Sequence, residues 1–365
     1  MPFPDPLPRE PMASFTLMCW NVENLFLPEA DASEPVRERF EAKLATLAAV
    51  IYSQRPDVLA LQEIGPDGAL QALQGALTNP LPHAIEGKPD GRGIRVAVLS
   101  RHPFSTSRSI VAFPEMILPV QARDPVFDDP ATPADESLTA SLGRGALEVV
   151  VEIEEQPVRI ITAHFKSKLI SYARQKGLVD GSQFAPNDEN ERYRYAAYGL
   201  YRRTTEALTL RDRVNQILSS GAGSPDPEAG LGRQKAVVVC GDLNDATDAA
   251  TTQILQGPSG SELGTEGFRR SDKSDGYRLW NLAPLLNAGP NGEPPAEPPF
   301  SRRFQGRGEL IDHILASHRL VNPGNIPVAR TLLAGDHLPS ISETPSDRAA
   351  DPGSDHAALV AEFEI

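Results

Sequence analysis

Cysteine is nearly absent from this sequence: Cys19 and Cys240 are its only two, and each sits in an apolar run just ahead of a polar motif. Two isolated thiols supply neither a disulfide framework nor a cluster of metal ligands, so both read as small buried hydrophobes and thiol catalysis is not expected. Long apolar runs are missing too, and nothing approaches the roughly 20 residues that a membrane span needs. Residues 1–11 are Pro-rich with charges of both signs and lack the basic and apolar segments of a secretory leader. The expected location is therefore cytoplasmic, or secreted where a leader has already been removed. Positive charge is short, with 35 Lys and Arg against 49 Asp and Glu, a net of -14. Such a balance speaks against a protein that coats polyanions nonspecifically, although it leaves room for a local basic groove. No internal repeat of the solenoid kind is present.

What remains is a globular composition, 40% hydrophobic and 23% charged over 365 residues. Residues 15–20 read as a short buried strand ending at Asn21. Over 33–54 the apolar residues Val36, Phe40, Leu44, Leu47, Ala48 and Ile51 fall on one helical face, with Ser33 or Asp31 available as N-cap. A turn at Arg55-Pro56-Asp57 leads into the apolar run 58–61, which ends at Gln62-Glu63. The same grammar recurs at 94–100, at 147–153 paired with 158–163 across a turn at 154–157, at 236–240, at 309–316 with Asp312 in its middle, and at 357–365. One long helix is expected over 189–219. Its Arg192, Arg194, Arg202, Arg203, Arg211 and Arg213 read either as a solvated surface with acidic partners or as a phosphate-facing side. The stretches 114–143, 220–233, 286–299 and 322–353 read as long surface loops. Residues 1–14 are expected to be a flexible N-terminal segment and 15–365 one α/β layered domain with long loop insertions.

Several strands thus deliver polar residues to loop junctions. Glu63 and Asp355 are carboxylates at such ends and Asn21 adds a neutral oxygen, a donor set suited to Mg²⁺ or Mn²⁺, with Ca²⁺ also compatible. Asp242 and Asn244 are one residue apart, so on an extended segment a carboxylate and an amide face one ligand, the first orienting a water and the second donating to a phosphate oxygen. Gly-Asp-x-Asn also makes an ordinary Asx turn. His164 and His356 lie at strand-loop junctions where an imidazole can donate to phosphate or protonate a leaving oxygen, and Asp312 can fix the tautomer of His356. His83, His102 and His318 fall in loop-like sequence. Three Asp-His dipeptides occur: Asp312-His313, Asp336-His337 and Asp355-His356. Strand alternation makes Asp312 the site residue of the first and turns His313 away, and the third is preferred over the second because it runs straight into the closing strand.

Taken in order, Trp20-Asn21-Val22-Glu23-Asn24-Leu25-Phe26, Leu61-Gln62-Glu63-Ile64, Thr162-Ala163-His164-Phe165-Lys166-Ser167-Lys168, Gly241-Asp242-Leu243-Asn244, Ile311-Asp312-His313-Ile314-Leu315 and Ser354-Asp355-His356 resemble the endonuclease/exonuclease/phosphatase superfamily, the deoxyribonuclease I-like fold. The resemblance spans residues 15–365. It implies a four-layer α/β sandwich, two mixed sheets face to face with helices outside and a site at the strand ends. It further implies that Asn21, Glu63 and Asp355 serve a metal, that Asp242 and Asn244 activate water and orient phosphate, that His164 and His356 bind phosphate and move protons, and that Asp312 orients His356. Within the superfamily, the motifs look most like the bacterial extracellular-type nucleases. The abasic-site endonuclease branch carries a Tyr-x-Pro-Asn-like element that is missing here, whereas the inositol-polyphosphate and sphingomyelinase branches share the catalytic set.

The expected function is a Mg²⁺- or Mn²⁺-dependent phosphoesterase, a nuclease that hydrolyses phosphodiesters by in-line water attack, with Lys166, Arg192 and Arg202 holding flanking phosphates. The expected partner is a nucleic acid or another phosphoester and the expected state a monomer. A phosphomonoesterase or small-molecule phosphodiesterase is the alternative, and a binding module without turnover the third reading.

Overall fold

The computed structural model describes residues 13–66, 68–122, 138–169, 181–182, 185–186, 188–220, 231–289, 293–332 and 352–365. Two six-stranded sheets dominate. In chain order their strands are β1 (Ser14–Leu25), β2 (Val58–Ile64), β3 (His83–Glu86), β4 (Arg95–Ser100), β5 (Phe104–Ala112), β6 (Ser141–Ile153), β7 (Gln156–His164), β8 (Ala236–Asp242), β9 (Leu279–Asn281), β10 (Asp312–Ser317), β11 (Val328–Thr331) and β12 (Leu359–Glu364). The first sheet has the order β11-β12-β1-β2-β4-β3 and the second β9-β10-β8-β7-β6-β5. Each sheet is mixed, with one central parallel pair, β1 with β2 and β7 with β8, flanked by antiparallel neighbours.

Strand alternation explains the layers. Along β1, Phe15, Leu17 and Cys19 join the core between the sheets, while Met18, Trp20 and Val22 face outward. Along β8, Val238 and Cys240 point inward, and Val237 and Val239 outward. The outward faces are covered by helices. Helix α1 (Glu34–Gln54) and helix α2 (Ala69–Ala76) pack Leu47, Val50, Ile51, Leu70 and Leu73 onto the first sheet. On the second sheet, α3 (Glu189–Ser219) and α4 (Ala250–Gln256) place Leu210, Val214, Leu218 and Leu255. The result is a four-layer α/β sandwich, as the motifs implied. Burying one such Leu, Ile or Val contributes about 1.5–3 kcal/mol, which is why the inner faces are almost wholly apolar.

Local signals account for the helix ends. Helix α1 starts after Ser33 with Pro35 in its first turn and stops where Arg55 takes the left-handed conformation and donates to the Ile51 carbonyl at 3.0 Å. Helix α3 is capped by Asp188, whose side chain accepts from the Asn190 amide at 2.7 Å. Several expected bounds shift. The turn between β6 and β7 is only Glu154-Glu155, both at positive φ, because a two-residue left-handed turn matches the twist of paired strands. The strand expected over 309–316 breaks at Leu310-Ile311, so Asp312 opens β10 instead of sitting in its middle. The loops expected over 114–143 and 322–353 contain the first residues of β6 and all of β11, and His83 opens β3. Residues 1–12 and Asp336-His337 lie outside the described residues. Among the described residues no helix is long and apolar enough to cross a membrane.

Candidate active site

The inter-sheet core turns polar at one end. Gln62 and Thr162 mark the change: the Gln62 amide donates to the Thr162 hydroxyl at 2.9 Å, linking the first sheet to the second. One step further, sheet register brings three functional side chains into a row, since Asp242 pairs with His164 on one side and with Asp312 on the other. All three share the inward face with Cys240 and Ile314, so they close the end of the sandwich. Their neighbour Gly241 has φ 144°, and a Cβ there would lie 1.9 Å from the Ala163 carbonyl oxygen, so no side chain can replace its hydrogen without moving β7.

From the opposite sheet come Asn21, Glu63, Asp355 and His356. The Asn21 amide donates to Oδ2 of Asp242 at 3.0 Å, while its oxygen accepts from the Glu23 amide at 3.0 Å. Glu63 has a positive φ of 63°, a strained conformation that directs its carboxylate across the strand ends. One oxygen accepts from the Asn24 amide at 2.9 Å and the other lies 3.8 Å from Nε2 of His164. Nδ1 of His356 meets Oδ2 of Asp312 at 2.7 Å, and its Nε2 lies 3.9 Å from Asp242 and 3.8 Å from Asp355. The loop carrying His356 is fixed from both sides. Trp20 donates its indole N–H to the His356 carbonyl at 2.8 Å, Ser354 donates to the Asn21 carbonyl at 2.6 Å, and Lys43 of α1 donates to the carbonyls of Glu23 and Gly353.

The charges follow from this enclosure. Burial would raise the Asp242 carboxyl, but the imidazoles of His164 and His356 and the Asn21 amide outweigh it and hold the group well below the ordinary carboxylate range. Burial would likewise lower His356, yet Asp312 and Asp242 beside it push it up to about 10. Asp312 itself is raised, first by burial. At neutral pH His356 is therefore a fixed cation between two carboxyl groups.

Asn244 takes the Asx-turn reading of its motif, and its side-chain amide is engaged within the fold. Its backbone N–H donates to Oδ1 of Asp242 at 3.0 Å, the contact of an Asx turn, and its φ of 53° shows that the segment is not extended past β8. Its amide donates to the Phe165 carbonyl at 3.1 Å, which ties the β8 end to the β7 end. His313 faces outward as expected, but it is a fixed piece of structure: Asn281 donates to its Nδ1 at 3.2 Å and its Nε2 donates to the Asp245 carbonyl at 2.9 Å. Burial lowers it, consistent with a neutral ring.

The three cations expected to hold flanking phosphates are placed less centrally. Lys166 turns its amine to the carbonyls of Ser167 and Leu169, and burial together with Arg144 and Arg202 lowers it to about 7. Arg192 pairs with Glu189 at the exposed start of α3. Arg202 lies 3.9 Å from Glu206, which is buried and accepts from the Lys166 and Gly143 amides. Three further residues bear on the site without having been singled out. Arg144, on β6, contacts Nε2 of His164, a nitrogen shared with Asp242 at 3.2 Å. Arg302 lies 3.3 Å from Asp355, and Glu206 anchors the loop after His164. Only Gly-Arg-Gly at 143–145, just ahead of a predicted strand, offered any signal for the first.

A divalent cation fits this donor set. Asp242, Asp312 and His356 each offer a ligand atom within 4.8 Å of the others. Glu63 and Asp355, expected to serve a metal, lie outside that group but border it, with carboxylate oxygens 3.8 Å from Nε2 of His164 and of His356, and carboxylate oxygen is the donor a hard ion takes. Oδ1 of Asp312 is buried without a hydrogen-bond partner among the described residues, a further sign of an acceptor surplus at this end.

The sequence model of the Endonuclease/Exonuclease/phosphatase family matches residues 18–356. The chain belongs to that family. Members of the endonuclease/exonuclease/phosphatase family are phosphoester hydrolases that usually work with divalent metals. Among curated proteins no sequence matches the chain. By structure it is similar to a humanized TDP2 of D. rerio, at 15% identity and TM-score 0.51 over 96% of this chain and 99% of that one. It is also similar to the human Nocturnin catalytic domain, solved with a bound sulfate anion, at 16% identity and TM-score 0.51 over 96% and 94%. A truncated TDP2 of Caenorhabditis elegans matches at 13% identity and TM-score 0.50 over 96% and 98%. At these identities the likenesses speak to the deoxyribonuclease I-like fold of the family.

Proposed function

We propose that the chain is a divalent-metal-dependent phosphodiesterase, acting as a nuclease. One observation carries this reading: an ionised carboxylate, Asp242, is buried between two imidazoles at the end of the sandwich, within reach of further oxygen donors from the facing sheet. Asp242 accepts a hydrogen bond from the attacking water and, with Asn21, sets its direction toward phosphorus. His356, kept protonated by Asp312, donates to a phosphoryl oxygen and stabilises the charge that builds up there. His164 and Arg144 act on the opposite side of Asp242: Nε2 of His164 holds the Arg144 guanidinium in place, and the guanidinium donates to the phosphate. Asn21, Glu63 and Asp355 would hold Mg²⁺ or Mn²⁺, which supplies Lewis-acid stabilisation of the phosphoryl and leaving oxygens.

The test is hydrolysis of bis-p-nitrophenyl phosphate, p-nitrophenyl phosphate and labelled DNA and RNA by purified protein with Mg²⁺ or Mn²⁺. Diester cleavage that is lost in EDTA and falls about 10³-fold in Asp242→Ala is the expected result. Diesters left intact with every metal, or full rates in both Asp242→Ala and His356→Ala, would remove the proposal. Cleavage of the monoester alone would make the chain a phosphomonoesterase.

A further inference from the structure

Beside the site stands a small hairpin, Arg302–Phe304 paired with Arg307–Glu309 and closed by Gln305 and Gly306 at φ 49° and 78°. This is the left-handed two-residue turn that suits a tight hairpin, and Gly306 is the natural occupant of its second position. Its base is joined directly to the site residues. The Ser301 hydroxyl accepts from the amides of Ile311 and Asp312 at 3.1 Å, the Ala357 amide donates to the Ser301 carbonyl, and Arg302 forms a β-bridge with His356. The Arg302 side chain adds the 3.3 Å contact to Asp355. From Ser301 the strand reaches about 10 Å to Phe304, at about 3.3 Å per residue.

Among the described residues the tip has no packing partner that accounts for its aromatic ring. Phe304 is 43% exposed, whereas Phe300 below it is covered by Arg303, whose guanidinium lies 4.5 Å from the ring, and is packed against Gly308. Arg307 is exposed and makes no ion pair among the described residues. Three arginines in the six residues 302–307 are a local excess in a chain of net charge -14. An exposed ring among guanidinium groups, next to a phosphoester site, matches a base joined to a phosphate backbone: aromatic faces stack on any unpaired base, and arginine neutralises phosphate. Duplex bases keep their faces within the stack, so the ring favours a single strand. A lipid surface fits less well, because the tip offers one apolar side chain beside the polar Gln305-Gly306 turn.

Resting on the phosphodiesterase reading above, we infer that this hairpin is a single-strand-binding element: Phe304 stacks on a base flanking the scissile phosphate, Arg307 neutralises a neighbouring phosphate, and Arg302 holds the hairpin in register with Asp355. The experiment compares kcat/KM for a single-stranded oligothymidylate of about a dozen nucleotides, its duplex with oligodeoxyadenylate, and bis-p-nitrophenyl phosphate. Wild type favours the single strand over the duplex. The ratio of single-strand to small-diester kcat/KM falls about tenfold in Phe304→Ala and in Arg307→Glu, and is kept in Phe304→Trp. The Phe304→Trp emission is quenched by the oligonucleotide and unchanged by phosphatidylcholine-phosphatidylglycerol vesicles. Unchanged ratios in both Phe304→Ala and Arg307→Glu overturn the inference, as does a vesicle response without an oligonucleotide response. Cleavage of the small diester but not the oligonucleotide overturns the hairpin assignment alone, and cleavage of neither removes the reading of the site with it.

Discussion

Asp312 never faces solvent, and its one hydrogen-bonded oxygen is spent on His356. That makes it a positioning residue whose value can be isolated. Asp312→Asn keeps an acceptor for Nδ1 but removes the charge that holds His356 cationic, so kcat should fall about 10²-fold with KM little changed. Steady-state kinetics on bis-p-nitrophenyl phosphate, with circular dichroism as a check of fold, decides it; a full rate would mean that His356 needs no charged partner. The same residue shows what could be read without coordinates. Asn21, Glu63, His164, Asp242, Asn244, Asp355 and His356 were legible as polar residues at strand or loop ends and Asp312 as a mid-strand residue on the inward face, and all eight gather at one end of the sandwich. Arg144, Glu206 and Arg302 were not. Their partners are set by the packing of elements far apart in sequence, strand on strand for Arg144 and helix on strand end for Glu206, and no local pattern encodes that. Of the three Asp-His dipeptides, Asp355-His356 brings its imidazole to 2.7 Å from Asp312, and Asp336-His337 lies outside the described residues.

Helix α3 was legible to its end residues because its apolar stripe is long and its Asp188 cap is local. The role of its arginines was not legible, and most prove to be ties within the fold. Arg213 pairs with Glu148 at 2.6 Å, Arg203 with Asp245 at 3.0 Å, and Arg211 donates to the Leu255 carbonyl at 3.1 Å. Glu148 on β6 is the clearest case, because it is 2% exposed and receives both Arg213 and Arg159. Burial alone would raise it, but the two guanidinium groups hold its carboxyl below the ordinary range. The folded state thus binds a proton there less readily than the unfolded chain, so the contribution to stability is complete above the unfolded value of about 4.5 and is lost as pH falls through the folded one. Glu148→Gln should cost about 2 kcal/mol at pH 7, and that difference from wild type should shrink toward zero as pH falls below the unfolded value and through the lowered folded one. Urea unfolding at pH 7 and through that fall measures it, and a constant difference would show that packing rather than charge is lost. Among strands, the missed ones are edge or short elements. β5, Phe-Ser-Thr-Ser-Arg-Ser-Ile-Val-Ala, carries little apolar alternation because much of it faces water, and β9 has only three residues.

At the scale of the molecule, the site is the place where the two sheets hold each other apart from the apolar core. Asn21, Glu63, Asp355 and His356 come from the β1-β2-β12 side, and His164, Asp242, Asn244 and Asp312 from the β7-β8-β10 side. The four-layer arrangement became legible only because the motifs occur in a family's order; composition and periodicity alone reached no further than an α/β layered domain. The consequence of this placement is thermodynamic. Asn21, Glu63 and Asp355 are far apart in sequence and meet only in the folded chain, so an ion that they hold binds the folded state alone and its free energy of binding adds to the stability of the fold. At a concentration about 100 times its dissociation constant, the gain is about 2.7 kcal/mol, which for a chain of this size raises the midpoint of thermal unfolding by about 3 °C. Mg²⁺ or Mn²⁺ should produce that rise in wild type and EDTA should reverse it. Glu63→Gln, which keeps the side-chain shape but removes one charge from the donor set, should unfold at the same temperature with and without the ion. Scanning calorimetry of both proteins in chelated and metal-loaded buffers makes the comparison. A rise that survives in Glu63→Gln would move the ion away from Glu63, toward the Asp242-Asp312-His356 group whose ligand atoms lie within 4.8 Å of one another.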